Sequence, residues 1–151
     1  MASDKIILQI TGLQLDAVMS GAPIVKSVDL ELRAGQVLGL IGESGAGKST
    51  IGLAAMGYAR AGVHIAGGSI KIDGVDLRTL DAEGRRTVRG RRIAYVAQSA
   101  AAAFNPAHSI MDQVCESPVL HKLMTRTEAE VWARSLFKSL DLPDPENFGR
   151  R

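Results

Sequence analysis

Apolar and polar residues alternate over Val28, Leu30 and Leu32, with Ser27, Asp29 and Glu31 between them, a two-residue period that predicts a half-buried β-strand. Leu13 and Leu15 form a weaker version upstream, and Ser20, Gly21, Ala22 and Pro23 between the runs supply turn residues for a hairpin. Ala34 and Gly35 turn the chain into residues 37–41, VLGLI, an apolar run without alternation that predicts a central strand covered on both faces. Residues 51–58 are apolar nearly all round and predict a helix packed beneath a sheet. Gly52 and Gly57 each weaken that helix by about 1 kcal/mol relative to alanine, so packing has to hold it. Ile70 and Ile72 alternate with Lys71 and Asp73, the pair Asp73 and Gly74 marks a turn, and residues 93–96 read as another short strand.

The last third changes to helical patterning, with Ile110, Val114, Val119 and Leu123 on one stripe broken by Pro118. Thr127 followed by Glu130 is a capping-box pattern, with Val131, Leu136 and Leu140 as the apolar positions behind it. Leu142, Pro143, Asp144 and Pro145 then stop the helix. The uncharged stretch 93–111 is long enough to span a bilayer, but Gln98, Ser99, Asn105, Pro106 and His108 would be costly there, so it reads as a buried strand, a polar loop and a helix start.

Composition narrows the class. The 151 residues are 46% hydrophobic and 23% charged, enough for one sizeable core and unlike a disordered or fibrous chain. A net charge of +2 is too small to imply a polyanionic partner. The single Cys115 excludes an internal disulfide and suits a reducing compartment. The run 6–8 is far shorter than a signal-peptide core, so the expectation is cytoplasmic. Repeats are absent, and low complexity is confined to the alanine tract 100–103.

One motif carries chemistry. Gly42, Glu43, Ser44, Gly45, Ala46, Gly47, Lys48, Ser49 and Thr50 match G-x-x-x-x-G-K-[ST], between an expected buried strand and an expected helix, the context of a P-loop. Glycines let the backbone curl so that successive N–H groups form an anion nest at a helix N-terminus carrying about half a positive charge. A polyphosphate fits there, with Lys48 reaching the β and γ phosphates, Ser49 placing its hydroxyl on Mg²⁺ and Thr50 donating to the α phosphate.

GESGAGKST, the turn-rich segment ahead of it, and YVAQ followed by AAAAFNP resemble the ATP-binding subunit of an ABC transporter, in the branch that imports peptides and nickel. The resemblance runs over essentially the whole chain but reaches only the front portion of such a subunit. It implies an α/β P-loop fold with a RecA-like lobe and an antiparallel β-subdomain over residues 1–104, and the start of a helical subdomain over 105–151. It implies ATP and Mg²⁺ as cofactors, and Gln98 as the glutamine that contacts the Mg²⁺ or attacking-water region. Expected partners are transmembrane permease subunits, a second ATP-binding subunit and, indirectly, a solute-binding protein, at the cytoplasmic side of the membrane, with no nucleic acid. Without the resemblance, a lone glutamine after a short strand is ordinarily an exposed turn residue.

Hydrolysis in this family needs an apolar run ending in Asp and Glu, an LSGGQ-like signature and a switch histidine, and none of these stands in the 151 residues. The expectation is therefore a truncated chain that binds ATP with little turnover. The family also stacks adenine on an aromatic ahead of the P-loop; here Ala17 falls at that place, with Val18 and Met19 beside it, which implies weaker stacking.

Two other classes stay open at this point: a nucleic-acid-associated P-loop ATPase, and a non-catalytic interaction fragment. The five arginines Arg85, Arg86, Arg89, Arg91 and Arg92 would serve the former, although Asp81 and Glu83 nearby and the lack of interleaved aromatics favour a solvated face. His64, His108 and His121 share no metal-ligand spacing with Cys115, which reads as a packed thiol beside surface histidines. Trp132 reads as core, with contact to a membrane subunit as the alternative.

Overall fold

The computed structural model describes residues 5–99 and 103–150. Residues 1–4, most of the alanine tract and Arg151 lie outside the described residues. The chain forms two compact units, Met1–Ala94 and Tyr95–Arg151.

In the first unit, β1 (Ile6–Ala17) and β2 (Pro23–Arg33) form the expected hairpin, and β3 (Val63–Ile72) and β4 (Val75–Asp76) complete an antiparallel sheet in the order β2-β1-β3-β4. The upstream strand is the central one. Ile10, Leu13 and Leu15 are all buried although their spacing breaks the two-residue period, because the ladders shift register between Ile10 and Leu13. Gly12 sits at that irregularity with φ 59°, and its N–H donates to Asp29 Oδ1 at 2.6 Å. Across the ladder, a Cβ on Gly68 (φ +87°) would stand 2.5 Å from the Gly12 carbonyl oxygen, so two glycines let the backbones approach where no side chain fits. Asp73 (φ 48°) and Gly74 (φ 83°) form the two-residue turn into β4, where Ile72 pairs Val75, as the hairpin rule expects. The Lys5 ammonium, 2.6 Å from Asp73 Oδ1, holds that carboxyl below the usual carboxylate range.

Helix α1 (Lys48–Ala54) packs Ile51 and Ala54 into the core made by Ile10, Leu13, Leu15, Ile70 and Leu77. It ends sooner than the apolar run 51–58 implies: Gly57 is left-handed at φ 64°, its N–H donates to Ala54 O at 2.7 Å, and the chain turns away. A second helix, α2 (Ala82–Val88), has no counterpart in the hydrophobic pattern, since it buries no residue fully; Asp81 caps it by accepting from Gly84 N at 2.7 Å.

Two expected strands are corrected. Residues 37–41 join no ladder among the described residues, with Val37 and Ile41 both 99% exposed. An unalternating apolar run becomes a central strand only when neighbours bond both its edges, and no described segment does so. For residues 93–96 the structure has one isolated bridge, Arg89 to Ile93, and Val96 is 91% exposed.

In the second unit, α3 (Ile110–Leu120) and α4 (Arg126–Ser139) pack as a helical pair with a short 3₁₀ turn at Phe148–Arg150. The buried face of α3 is Met111, Cys115 and Pro118; the expected stripe is displaced, with Ile110 and Val114 only flanking the core and Leu123 exposed. The face of α4 is corrected too. Ala129, Ala133 and Phe137, each four apart, are buried, whereas Val131 and Leu140 are exposed. The reason is the contact with α3: small residues let Ala129 and Ala133 pack against Met111 and Cys115. The capping box also moves, closing on Thr125 and Glu128, two residues ahead of the expected pair, with Glu128 Oε2 accepting from Thr125 N at 2.8 Å. Those bonds to Thr125 hold the Glu128 carboxyl below its ordinary range. Phe137 and Phe148 meet edge to face at 5.3 Å.

Gly68→Ala should cost about 3 kcal/mol, the left-handed strain plus the backbone clash, whereas Gly62→Ala, left-handed but with open space around it, should cost only about 1 kcal/mol; urea midpoints of the two variants check the difference. In the second unit, Thr125→Ala should lose about 1 kcal/mol and Thr127→Ala less than about half of that. A larger loss for Thr127→Ala than for Thr125→Ala would move the cap back to Thr127.

Candidate functional site

The loop residues 42–46 are exposed, and the chain enters the core at Gly47. Gly47 is buried, left-handed at φ 83°, and a Cβ there would stand 3.0 Å from Val25 Cγ2. Residue 47 thus has to be glycine twice over, for its backbone and for its contact with β2. Gly45 is left-handed as well, at φ 85°, and Ala46 N donates to Glu43 O at 3.2 Å, which curls the loop back on itself.

Gly47 is also the N-cap of α1; its carbonyl accepts from Ile51 N at 2.8 Å, and no side chain caps the helix. By helix geometry the N–H groups of Lys48, Ser49 and Thr50 have no intrahelical acceptor, and the first turn carries no acidic residue. These donors stand at the positive end of the helix, directly after the glycine loop. Ser49 is exposed and Thr50 half-buried.

The Lys48 ammonium folds back over the loop, donating to Gly42 O at 2.7 Å and Glu43 O at 2.5 Å. The site therefore holds one cation, an uncapped helix end and two left-handed glycines within nine consecutive residues. A tetrahedral polyanion suits that donor set, and the exposed Ser49 hydroxyl is chemically suited to a hard divalent cation beside it.

The remaining expected residues fall as follows. Gln98 is exposed on irregular backbone in the second unit. Ala17 is the last residue of β1, and Val18 and Met19 are exposed in the turn leading to β2. Trp132 is 38% exposed on the outer side of α4, against a hollow lined by Leu123, Met124 and Val131, so it is not core. Cys115 is buried, and among the described residues no group of His, Cys, Asp and Glu is placed to hold a metal.

The arginine cluster is not simply a solvated face. Arg85 donates to Leu80 O at 2.5 Å, Arg92 pairs with Asp73 at 3.3 Å, and Arg89 binds two carbonyls, Met56 O at 2.9 Å and Gly57 O at 2.6 Å. Arg86 and Arg91 remain exposed. Arg89 and Val25, both in contact with the ends of α1, escaped the sequence reading because their partners are distant along the chain; the only hint at Val25 is an apolar pair following Pro23.

Comparison with known proteins agrees with this geometry. The dipeptide transport ATP-binding protein DppD of Haemophilus influenzae is 31% identical over 82% of this chain and 37% of its own length. The metal-staphylopine import system ATP-binding protein CntD of Staphylococcus aureus is 32% identical over 93% of this chain and 51% of its own. A putative peptide import ATP-binding protein of Brucella abortus is 36% identical over 80% of this chain and 37% of its own. The chain thus spans between about a third and a half of the length of these relatives. No helix among the described residues is long and apolar enough to cross a membrane. The family model described as ABC transporter matches residues 25–149, from the strand that backs Gly47 through the helical unit, and the chain belongs to that family, with its P-loop α/β fold.

Proposed function

We propose that this chain is the nucleotide-binding portion of an ATP-binding subunit that powers the import of peptides or a similarly small solute. The observation that carries the reading is the junction of loop and helix: a left-handed Gly47 seated on Val25, followed by Lys48 held over the loop at the uncapped start of α1. The named relatives support the transport class, and the presence of a metal-staphylopine importer among peptide importers leaves the cargo class broad.

In this reading residues 42–50 cradle the phosphates of ATP, Lys48 meets the β and γ phosphates, Ser49 holds Mg²⁺, and Thr50 donates to the α phosphate. Gln98 serves the Mg²⁺ or attacking-water region. Bound Mg²⁺ supplies charge neutralisation at the phosphates; the chain itself supplies position and hydrogen-bond donors. Residues 1–104 form the β-subdomain and P-loop lobe, and 105–151 begin the helical subdomain. At the cytoplasmic face of the membrane, permease subunits and a second ATP-binding subunit are the partners, and a solute-binding protein is an indirect one; nucleic acid is not among them. Three of the five clustered arginines being engaged within the fold supports that last point.

Titration of the chain with a fluorescent ATP analogue in Mg²⁺ should saturate, and Lys48→Ala should weaken binding by at least about a hundredfold. Micromolar affinity retained in that variant would overturn the P-loop assignment. These 151 residues as they stand should hydrolyse ATP more slowly than about 0.1 per second, because they hold no Asp-Glu pair after an apolar run to position water. A Lys48-dependent rate of about 1 per second in phosphate-release assays would show that the carboxylate is dispensable.

A further inference from the structure

Helix α1 is too short to hold its own position. Seven residues with a glycine among them are marginal as a helix. Its last carbonyls are met by the turn that follows, Leu53 O accepting from Met56 N at 3.0 Å and Ala54 O from Gly57 N at 2.7 Å, so the position of that turn decides how the helix ends. At the N-terminal end the contact of Gly47 with Val25 provides a stop. At the other end the backbone leaves through Met56 and the left-handed Gly57, and it is there that Arg89 arrives from a different helix.

We propose that Arg89 is a positioning residue for the P-loop: its guanidinium grips the exit of α1 and thereby sets where the glycine loop at the opposite end stands. Nε donates to Met56 O at 2.9 Å and Nη2 to Gly57 O at 2.6 Å, so one planar group serves two successive carbonyls, a geometry a lysine ammonium does not reproduce. The same guanidinium lies 5.8 Å from the centre of the Tyr58 ring, which adds a cation–π contact on the next residue. Its charge sits at the negative end of the helix dipole. Partial burial, with the like charge of Arg85 beside it, lowers the Arg89 pKa.

Arg89 is itself fixed from behind. It is the C-cap of α2, its N–H donates to Arg85 O at 3.1 Å, and Gly90 N donates to Ile93 O at 2.8 Å to close the following turn. Arg85 places its Cδ 3.3 Å from the position of a Cβ on Gly57, so a side chain there would crowd it. A displacement of Arg89 therefore passes to the exit of α1, and along its seven residues, about 10 Å, to Lys48 and Ser49.

For nucleotide binding, the proposal rests on the P-loop reading above; for loop position it does not, and the experiment separates the two. Backbone amide NMR spectra of the full chain are compared for wild type, Arg89→Gln, Arg89→Lys and Arg86→Gln, the last removing an exposed arginine of the same helix, and each is titrated with the fluorescent ATP analogue in Mg²⁺. Arg89→Gln should shift or broaden the amides of residues 45–50 as well as those of 56–58, and weaken the analogue about fivefold, with Arg89→Lys intermediate and Arg86→Gln like wild type. Changes confined to residues 56–58 and 85–93, with the P-loop amides and the affinity unmoved, would overturn the proposal even if the melting temperature fell. If Arg89→Gln does not fold, Arg89→Lys decides by the same two readouts. If wild type binds no analogue, the P-loop reading falls, and the amide comparison alone still confirms or overturns the role of Arg89.

Discussion

The contact of Gly47 with Val25 is the constraint on which the site depends. Because residue 47 has no side chain, the backbone can turn left-handed against β2 and start a helix in the same step. A methyl group there would push the start of α1 away from the strand and swing the donors of the first turn with it. The strand that receives this contact is in turn held by β1, whose Ile10, Leu13 and Leu15 anchor the core from which α1 is packed. A local loop geometry is thus borrowed from a non-local sheet.

How much of this was legible in the sequence depended on range. The β1–β2 hairpin, the Asp73–Gly74 turn and the glycine loop are local, and each has residues that admit few backbone alternatives. The phase break at Gly12 was hidden because a bulge changes which residues face inward without changing composition. Two overlapping T-x-x-E patterns, at Thr125 and Thr127, satisfy the same local rule, and only the burial of Ala129 and Ala133 against α3 selects the first. On α4 the large apolar residues Val131 and Leu140 face outward, and the small Ala129 and Ala133 fill the helix contact. Residues 37–41 show the opposite limit: their pattern states what kind of neighbour they want, not whether one is at hand.

At the site, the motif identified the loop, yet not what holds it. Val25 and Arg89 support the two ends of α1 from other elements, Arg89 more than thirty residues away from its carbonyls. Neither type of contact has a period or a spacing that a linear reading can detect. The two units also differ in how they are held. The first relies on branched aliphatic residues under an antiparallel ladder; the second relies on alanines, a buried thiol and an edge-to-face phenylalanine pair. Arg126, bonded to Asp112 and Glu130 at 2.6 and 2.8 Å, links its two helices at the surface, where such pairs contribute modestly.

The lysine that closes over its own loop has a kinetic meaning. With its ammonium bonded to the carbonyls of Gly42 and Glu43, the loop keeps a receptive curvature with its charge already in place. An arriving polyanion then meets a backbone already curved to receive it and has to draw the ammonium off those two carbonyls, a side-chain exchange and not a refolding of the loop. Under those conditions the association rate is set by attraction between the anion and an exposed helix end, and would slow as added salt screens it.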